Sequence, residues 1–313
     1  MRFIAGYLRD FVTAESNRAF YLIMIAFLSL CFFINYHFHF EDRYIESAFG
    51  TTAYFWRRLV SYALPYYFTA LLYALCYKNH SYLHNPQFWI KSLMALILIS
   101  WSYAADAYIP QLLHHVPPED WYYGRKLLLN GLHIVSTMVP LAFYYVLAEK
   151  EPSRFYGFKL QGFNTWPYLI MLCIMLPLIL WASFQPDFMQ TYPAYRPGIL
   201  ELTHNIPPWQ TCGLYELLYC TDFITIELLY RGLLVVGMAA IMGRASVFPM
   251  VATYAFLHFG KPIAEAISSI AGGFILGVIA YYTRSIIGGI IIHAGIALGM
   301  DMAAFWQLGK MAA

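Results

Sequence analysis

The chain has 313 residues, of which 60% are hydrophobic and only 12% charged, against about 45–50% and about 25% in an ordinary soluble protein. Nineteen basic and 17 acidic side chains leave a formal charge of +2, too few groups to cover a water-soluble surface and too balanced to signal nucleic acid as a partner. With a mean hydropathy of +0.55, these values exclude a soluble enzyme, a disordered tail and a nucleic-acid binder, and point to an integral, multi-pass membrane protein.

A helix needs about 20 apolar residues to cross a hydrocarbon core of about 30 Å. Runs of this kind fall near 18–38, 59–77, 88–109, 126–148, 166–184, 211–242, 246–260, 264–283 and 285–307. They predict an all-α fold, a polytopic membrane bundle of eight or nine transmembrane helices. The count turns on 246–260, which is short and carries Pro249 near its start. Polar punctuation such as EDRYIES, KNHSYLHNP, HHVPPED and EKEPSR separates the runs, and the 27 Tyr and 8 Trp gather near span ends as interfacial belts do. Asp10 and Glu15 precede the first run, which lacks a small-residue cleavage site, so it reads as a retained span and not a signal peptide. Placing the N-terminus in the cytoplasm puts Arg2, Arg9, Arg18, Lys78, Lys91, Lys150, Arg154, Lys159, Arg244 and Arg284 on that side, with eight other basic residues opposite and Arg231 inside a span. Ten against eight leans toward an N-terminus inside. The five cysteines (Cys31, Cys76, Cys173, Cys212 and Cys220) form no CxxC pair and read as small buried hydrophobes. The expected organisation is an N-terminal multi-span region over 1–204, a core over 205–307 and a tail over 308–313.

An ionisable residue near mid-span costs about 2.5–3.5 kcal/mol on insertion scales and is a functional candidate by default. The first five spans hold few, mainly Asp106 and His133. Beyond residue 213 come Glu216, Asp222, Glu227, Arg231, His258, Glu265, His293 and Asp301. Glu227 and Arg231 stand four apart and can pair on one helix face, and Tyr254 and His258 repeat that spacing on the next segment. One such pair is what a helix-locking ion pair looks like, and one His is often a packing residue. Three successive helices with a polar face at similar depth are what hydrolysis within a membrane requires: one group takes a proton from water, and others polarise a carbonyl, stabilise its oxyanion or hold a metal. Gly273 and Gly277, like Gly295 and Gly299, carry the small-residue spacing that lets membrane helices approach closely.

The blocks ELLYRG (227–232), YAFLHFGKP (254–262), SSIAGGFILG (268–277) and RSIIGGIIIHAG (284–295) resemble, in order and spacing, the CAAX-protease and bacteriocin-processing (Abi) family of intramembrane proteases, which includes the type II CAAX prenyl endopeptidases. The resemblance covers roughly 205–300. The family pattern is a Glu-Glu pair followed after three residues by Arg, then Phe-x-x-x-His, then His-x-x-x-Asn. It assigns the second Glu to Glu227, the Arg to Arg231 and the two His to His258 and His293. Tyr254 stands for the Phe, Ile226 for the first Glu, which serves the family as base, and Ala297 for the Asn.

The resemblance implies an endopeptidase acting on a peptide or protein substrate at or in the membrane, in a bacterial-type plasma membrane. With Ile226 in the base position, Glu227 is the first candidate for that role, although one helical residue is about 100° of rotation and would need a local twist. Asp222, Glu265 and Asp301 are spare carboxylates, the last two also readable as interfacial caps. Two His and a Glu could form a three-ligand zinc site, but HExxH spacing is absent, so zinc is a possible cofactor without assigned ligands. The competing reading is a degenerate member that binds or scaffolds a membrane partner. A transporter would show inverted repeats, and the sequence shows none.

Overall fold

In the computed structural model, which describes residues 2–149, 155–160 and 163–311, the apolar runs fold as helices, and the described residues include no strand. Lys150 and Arg154, two residues used for orientation, and the end of the expected tail lie outside the described residues. The helix α1 (Arg2–Ala14) precedes the first span. Next, α2 (Arg18–Phe38) opens at Asn17, whose side-chain oxygen accepts the Phe20 N–H, satisfying one of the orphan donors every helix start leaves. The helices α3 (Thr52–Tyr77) and α4 (Pro86–Ala105) follow, α4 with proline at its first position, where no N–H is needed. Then come α5 (Trp121–Ala148), α6 (Trp166–Ala182), α7 (Pro208–Glu227), α8 (Val247–Leu257), α9 (Ile263–Thr283) and α10 (Ile287–Met311).

Among the described residues seven helical stretches are long and apolar enough to cross a membrane, and α6 is a shorter eighth. The seven include one 50-residue stretch, Pro208–Leu257, which takes in both runs read near 211–242 and 246–260. It turns over at Gly243, whose φ of 59° suits a residue without a Cβ. Pro249 sits in the first turn of α8 and is tolerated there. The chain is an integral, multi-pass membrane protein.

It divides into two compact units. The first comprises 1–104, 149–161 and 227–287. At its centre α8 packs against both α3 and α9, and every residue from Val247 to Phe256 is buried, as expected of a helix that is apolar all round. Glycine makes this packing possible: a Cβ on Gly277 would lie 2.6 Å from Met250 Cε, and one on Gly273 would lie 3.0 Å from Tyr254 Cδ1. At one end the Phe248 ring meets Phe11 at 5.5 Å and Phe20 at 4.8 Å.

The second unit comprises 105–148, 162–226 and 288–313. Here the other glycine pair does similar work, since a Cβ on Gly295 would reach Leu172 and one on Gly299 would reach Ile179, both on α6. Gln307 donates to Ser183 Oγ at 2.9 Å, and the short helix Pro186–Thr191 packs Phe188 against Ala304. The expectation for the cysteines fails. All five are free thiols, four half-buried and Cys173 exposed: in lipid an outward-facing thiol costs little, so burial is not required of it.

Candidate functional site

The first unit holds most of the motif. α7 stops at Glu227, and the next nine residues, Leu228–Val236, wind as a π-helix, a form that is rare and frequent at functional sites. Arg231 in this segment reaches Glu227, four residues before it: Nη1 donates to Oε1 at 2.9 Å, with the two residues 1% and 0% exposed. The guanidinium lies 4.2 Å from the centre of the Tyr254 ring. A buried cation is costly alone, and this one is met by a carboxylate and a ring face.

Tyr254 also leads to His258. The two rings lie 4.6 Å apart edge to face, and His258 Nδ1 is 2.9 Å from the Tyr254 carbonyl. A carbonyl only accepts, so Nδ1 carries a proton and, in the neutral ring, Nε2 is the basic nitrogen. His258 caps the end of α8, half-buried, where the chain turns toward α9. That turn is held by residues that no motif flagged. Asn35 Nδ2 donates to the Phe259 carbonyl at 3.0 Å while its oxygen accepts the Glu41 N–H, and the Tyr36 hydroxyl donates to the Lys261 carbonyl at 2.8 Å. An Asn within an apolar run was the available signal. Glu265 stands in the first turn of α9, where a carboxylate complements the helix dipole.

Below that turn, Arg58 bonds both Glu41 and Glu46 and receives the Tyr54 and Tyr62 hydroxyls as acceptors. Burial raises the Glu41 carboxyl above its ordinary value, and the adjacent Arg58 offsets only part of that rise.

The second unit holds the other candidates. His293, in the second turn of α10, packs its ring on Phe223 of α7 at 4.3 Å, and the last motif position, Ala297, is 1% exposed and offers no polar group. Asp222 is already engaged: Oδ2 lies 3.2 Å from His133 Nδ1 and Oδ1 accepts the Thr225 hydroxyl at 2.7 Å. His133 Nε2 is in turn 3.3 Å from Asp106. This carboxylate–imidazole–carboxylate cluster joins three segments whose members looked isolated in the sequence. Asp301 is buried, not interfacial: it accepts the Ala194 N–H at 2.8 Å and has the Glu216 carboxyl as a near neighbour. A cavity of about 270 Å³, lined by Tyr122, Tyr195, Arg196 and Glu201 among others, includes none of the motif residues.

Among the described residues no group of three or more His, Cys, Asp and Glu is placed to hold a metal ion, so no step of a mechanism is derived through one. No curated protein and no solved structure matches the chain. The family model described as Type II CAAX prenyl endopeptidase Rce1-like matches residues 208–299, the stretch that holds all four motif blocks, and this part of the chain is similar to the intramembrane proteases that those blocks resemble.

Proposed function

We propose that the chain is a membrane-embedded endopeptidase of the CAAX type, hydrolysing a peptide bond of a peptide or protein substrate near the membrane surface. The observation that carries this reading is the continuous polar cluster Glu227–Arg231–Tyr254–His258 within the segment that matches the family. In the proposal Glu227 is the base. It takes a proton from water as the water oxygen adds to the carbonyl carbon, and the proton passes to the leaving nitrogen as the C–N bond breaks. Arg231 holds Glu227 ionised, and His258 accepts a hydrogen bond from the water at Nε2. His293 receives a share in stabilising the oxyanion from its place in the family motif alone. The proposed setting is a bacterial-type plasma membrane with the N-terminus in the cytoplasm.

A second reading, a binding or scaffold protein that has lost hydrolysis, is favoured by a specific set of facts. Ile226 and Ala297 replace polar motif residues, and Glu227 is fully enclosed with Arg231 on one of its oxygens. A proteolysis assay on a panel of variants in one membrane preparation separates the two. Glu227→Gln, His258→Ala and His293→Ala should each lose about 10²–10⁴ in rate, Asp106→Asn and His133→Gln should keep the activity of the folded fraction, and Ile226→Glu should raise it. A parent with no activity on any peptide, together with no gain from Ile226→Glu, would make the scaffold the better reading.

A further inference from the structure

The charges of the first unit are segregated by end. At the end where α2 begins and α3 and α9 stop stand Arg9, Arg18, Lys78, Lys159, Arg244 and Arg284, all exposed or half-buried. Contacts place them together. Asn17 bonds the Cys76 carbonyl and the Tyr77 hydroxyl, Tyr7 stacks on Tyr282 at 4.9 Å, Arg244 stands near the Tyr281 and Tyr282 hydroxyls, and Ser285 donates to the Lys159 carbonyl. Among the described residues little negative charge answers them. Glu15 is buried under the Tyr73 hydroxyl, Glu149 is taken by Lys91, and Asp10 faces Arg9 in an exposed pair, which in water is worth little. At the opposite end Arg43, Arg57, Arg58 and Lys261 are matched by Glu41, Asp42, Glu46 and Glu265.

The helix α1 lies at the basic end. It is amphipathic: Ile4 and Phe11 are buried against the unit, while Phe3 is 73% and Val12 46% exposed. Short amphipathic helices that pair apolar and basic side chains lie in the headgroup region of a bilayer. One of the arginines is held by an aromatic residue, Arg284 over the Tyr281 ring at 5.1 Å, and Arg244 stands near Tyr281 and Tyr282.

We propose that this end of the first unit binds anionic phospholipid headgroups, with Phe3 and Val12 of α1 among the outer acyl carbons and the six cations over the phosphates. A basic residue near an anionic membrane surface strengthens association about five-fold, and the effect falls off within the screening length of about 8–10 Å at physiological salt. The partner is a leaflet rich in negative lipid, so the inference stands whether or not the chain hydrolyses peptides.

The test uses the full chain in phosphatidylcholine vesicles with spin-labelled phosphatidylglycerol or phosphatidylcholine as tracer, reading the motionally restricted lipid fraction. We expect the phosphatidylglycerol tracer to be preferred, the preference to fall at least about five-fold in the exposed double variant Arg9→Gln/Lys78→Gln, and to fall again at about 1 M salt, where screening shortens to about 3 Å. Arg43→Gln/Arg57→Gln at the balanced end should leave it unchanged. Equal association of both tracers, or an equal loss in the two double variants, would overturn the proposal and leave an acidic protein segment as the partner of the charge.

Discussion

Replacing Arg231 by Leu tests how the buried pair holds the π-helical segment. The guanidinium and the Glu227 carboxylate are both enclosed and 2.9 Å apart. Leu removes every donor at once, so the carboxylate keeps neither its counter-charge nor that hydrogen bond, and Tyr254 loses the cation on its ring. Removing one partner of a buried pair costs about 3–5 kcal/mol. Glu227→Gln is milder, because an amide oxygen can still accept from Nη1. Only the charge assistance goes, about 1–3 kcal/mol. A gap of about 2 kcal/mol corresponds to a ratio of about thirty in the folding equilibrium. The assay is the yield of monodisperse protein from membranes together with thermal unfolding of both variants in one detergent. Arg231→Leu should give the lower yield and the lower midpoint, and Glu227→Gln/Arg231→Met should recover part of the loss, since two neutral side chains leave no stranded charge. Equal, near-normal yields for both single variants would refute the reasoning: the pair would then be a surface-like contact worth almost nothing.

Gly273→Ala puts a methyl carbon 3.0 Å from the Tyr254 ring and should lower stability by about 1–3 kcal/mol. Gly272→Ala, with open space at that position, should be near neutral in the same melts. Glu201, between the spans, supplies a pH dependence. Burial raises its carboxyl, but hydrogen bonds from Thr211, Tyr195 and the Gly198 N–H outweigh burial and hold it below its ordinary value of 4.5. A depressed carboxyl stabilises the fold above that ordinary value, and the contribution disappears as the pH falls through the lower folded value. Thermal unfolding from neutral pH to below 4.5 should therefore lose stability in the parent and less in Glu201→Gln, and parallel curves for the two would disprove it.

What could be read from the sequence is what lies within a single helix. The spans follow from apolar runs because lipid leaves no alternative to satisfied backbone bonds, and the Glu227–Arg231 contact follows from a spacing of four. Gly273 and Gly277 announced a close helix approach without saying which helix would fill it, and Tyr254 and Met250 on α8 do so. Contacts between segments distant in the chain were illegible. His133 meets Asp106 and Asp222 across 27 and 89 residues, and Asn35 reaches Phe259 across 224. A polar residue alone in an apolar run signals that it has a partner, but periodicity carries no record of which one.

The π-helical segment bears on the substitution of the family base. In an unbroken α-helix positions 226 and 227 point about 100° apart, so a carboxylate moved by one residue would face the wrong way. A turn bonded i→i+5 accommodates one residue more than an α-turn, and each extra residue rotates the later part of the helix by about 100° relative to the earlier part. Here the wide turns begin at Leu228, directly after Glu227. Residues beyond Arg231 are therefore carried on a backbone whose phase differs from that of a regular helix, while the Arg231 contact itself needs only the spacing of four. Ile226 and Glu227 both lie before the wide turns, so the two positions keep their separate directions. Ile226→Glu would set a second carboxylate beside the first, and it raises activity only if the added group finds water and not the arginine that Glu227 already holds.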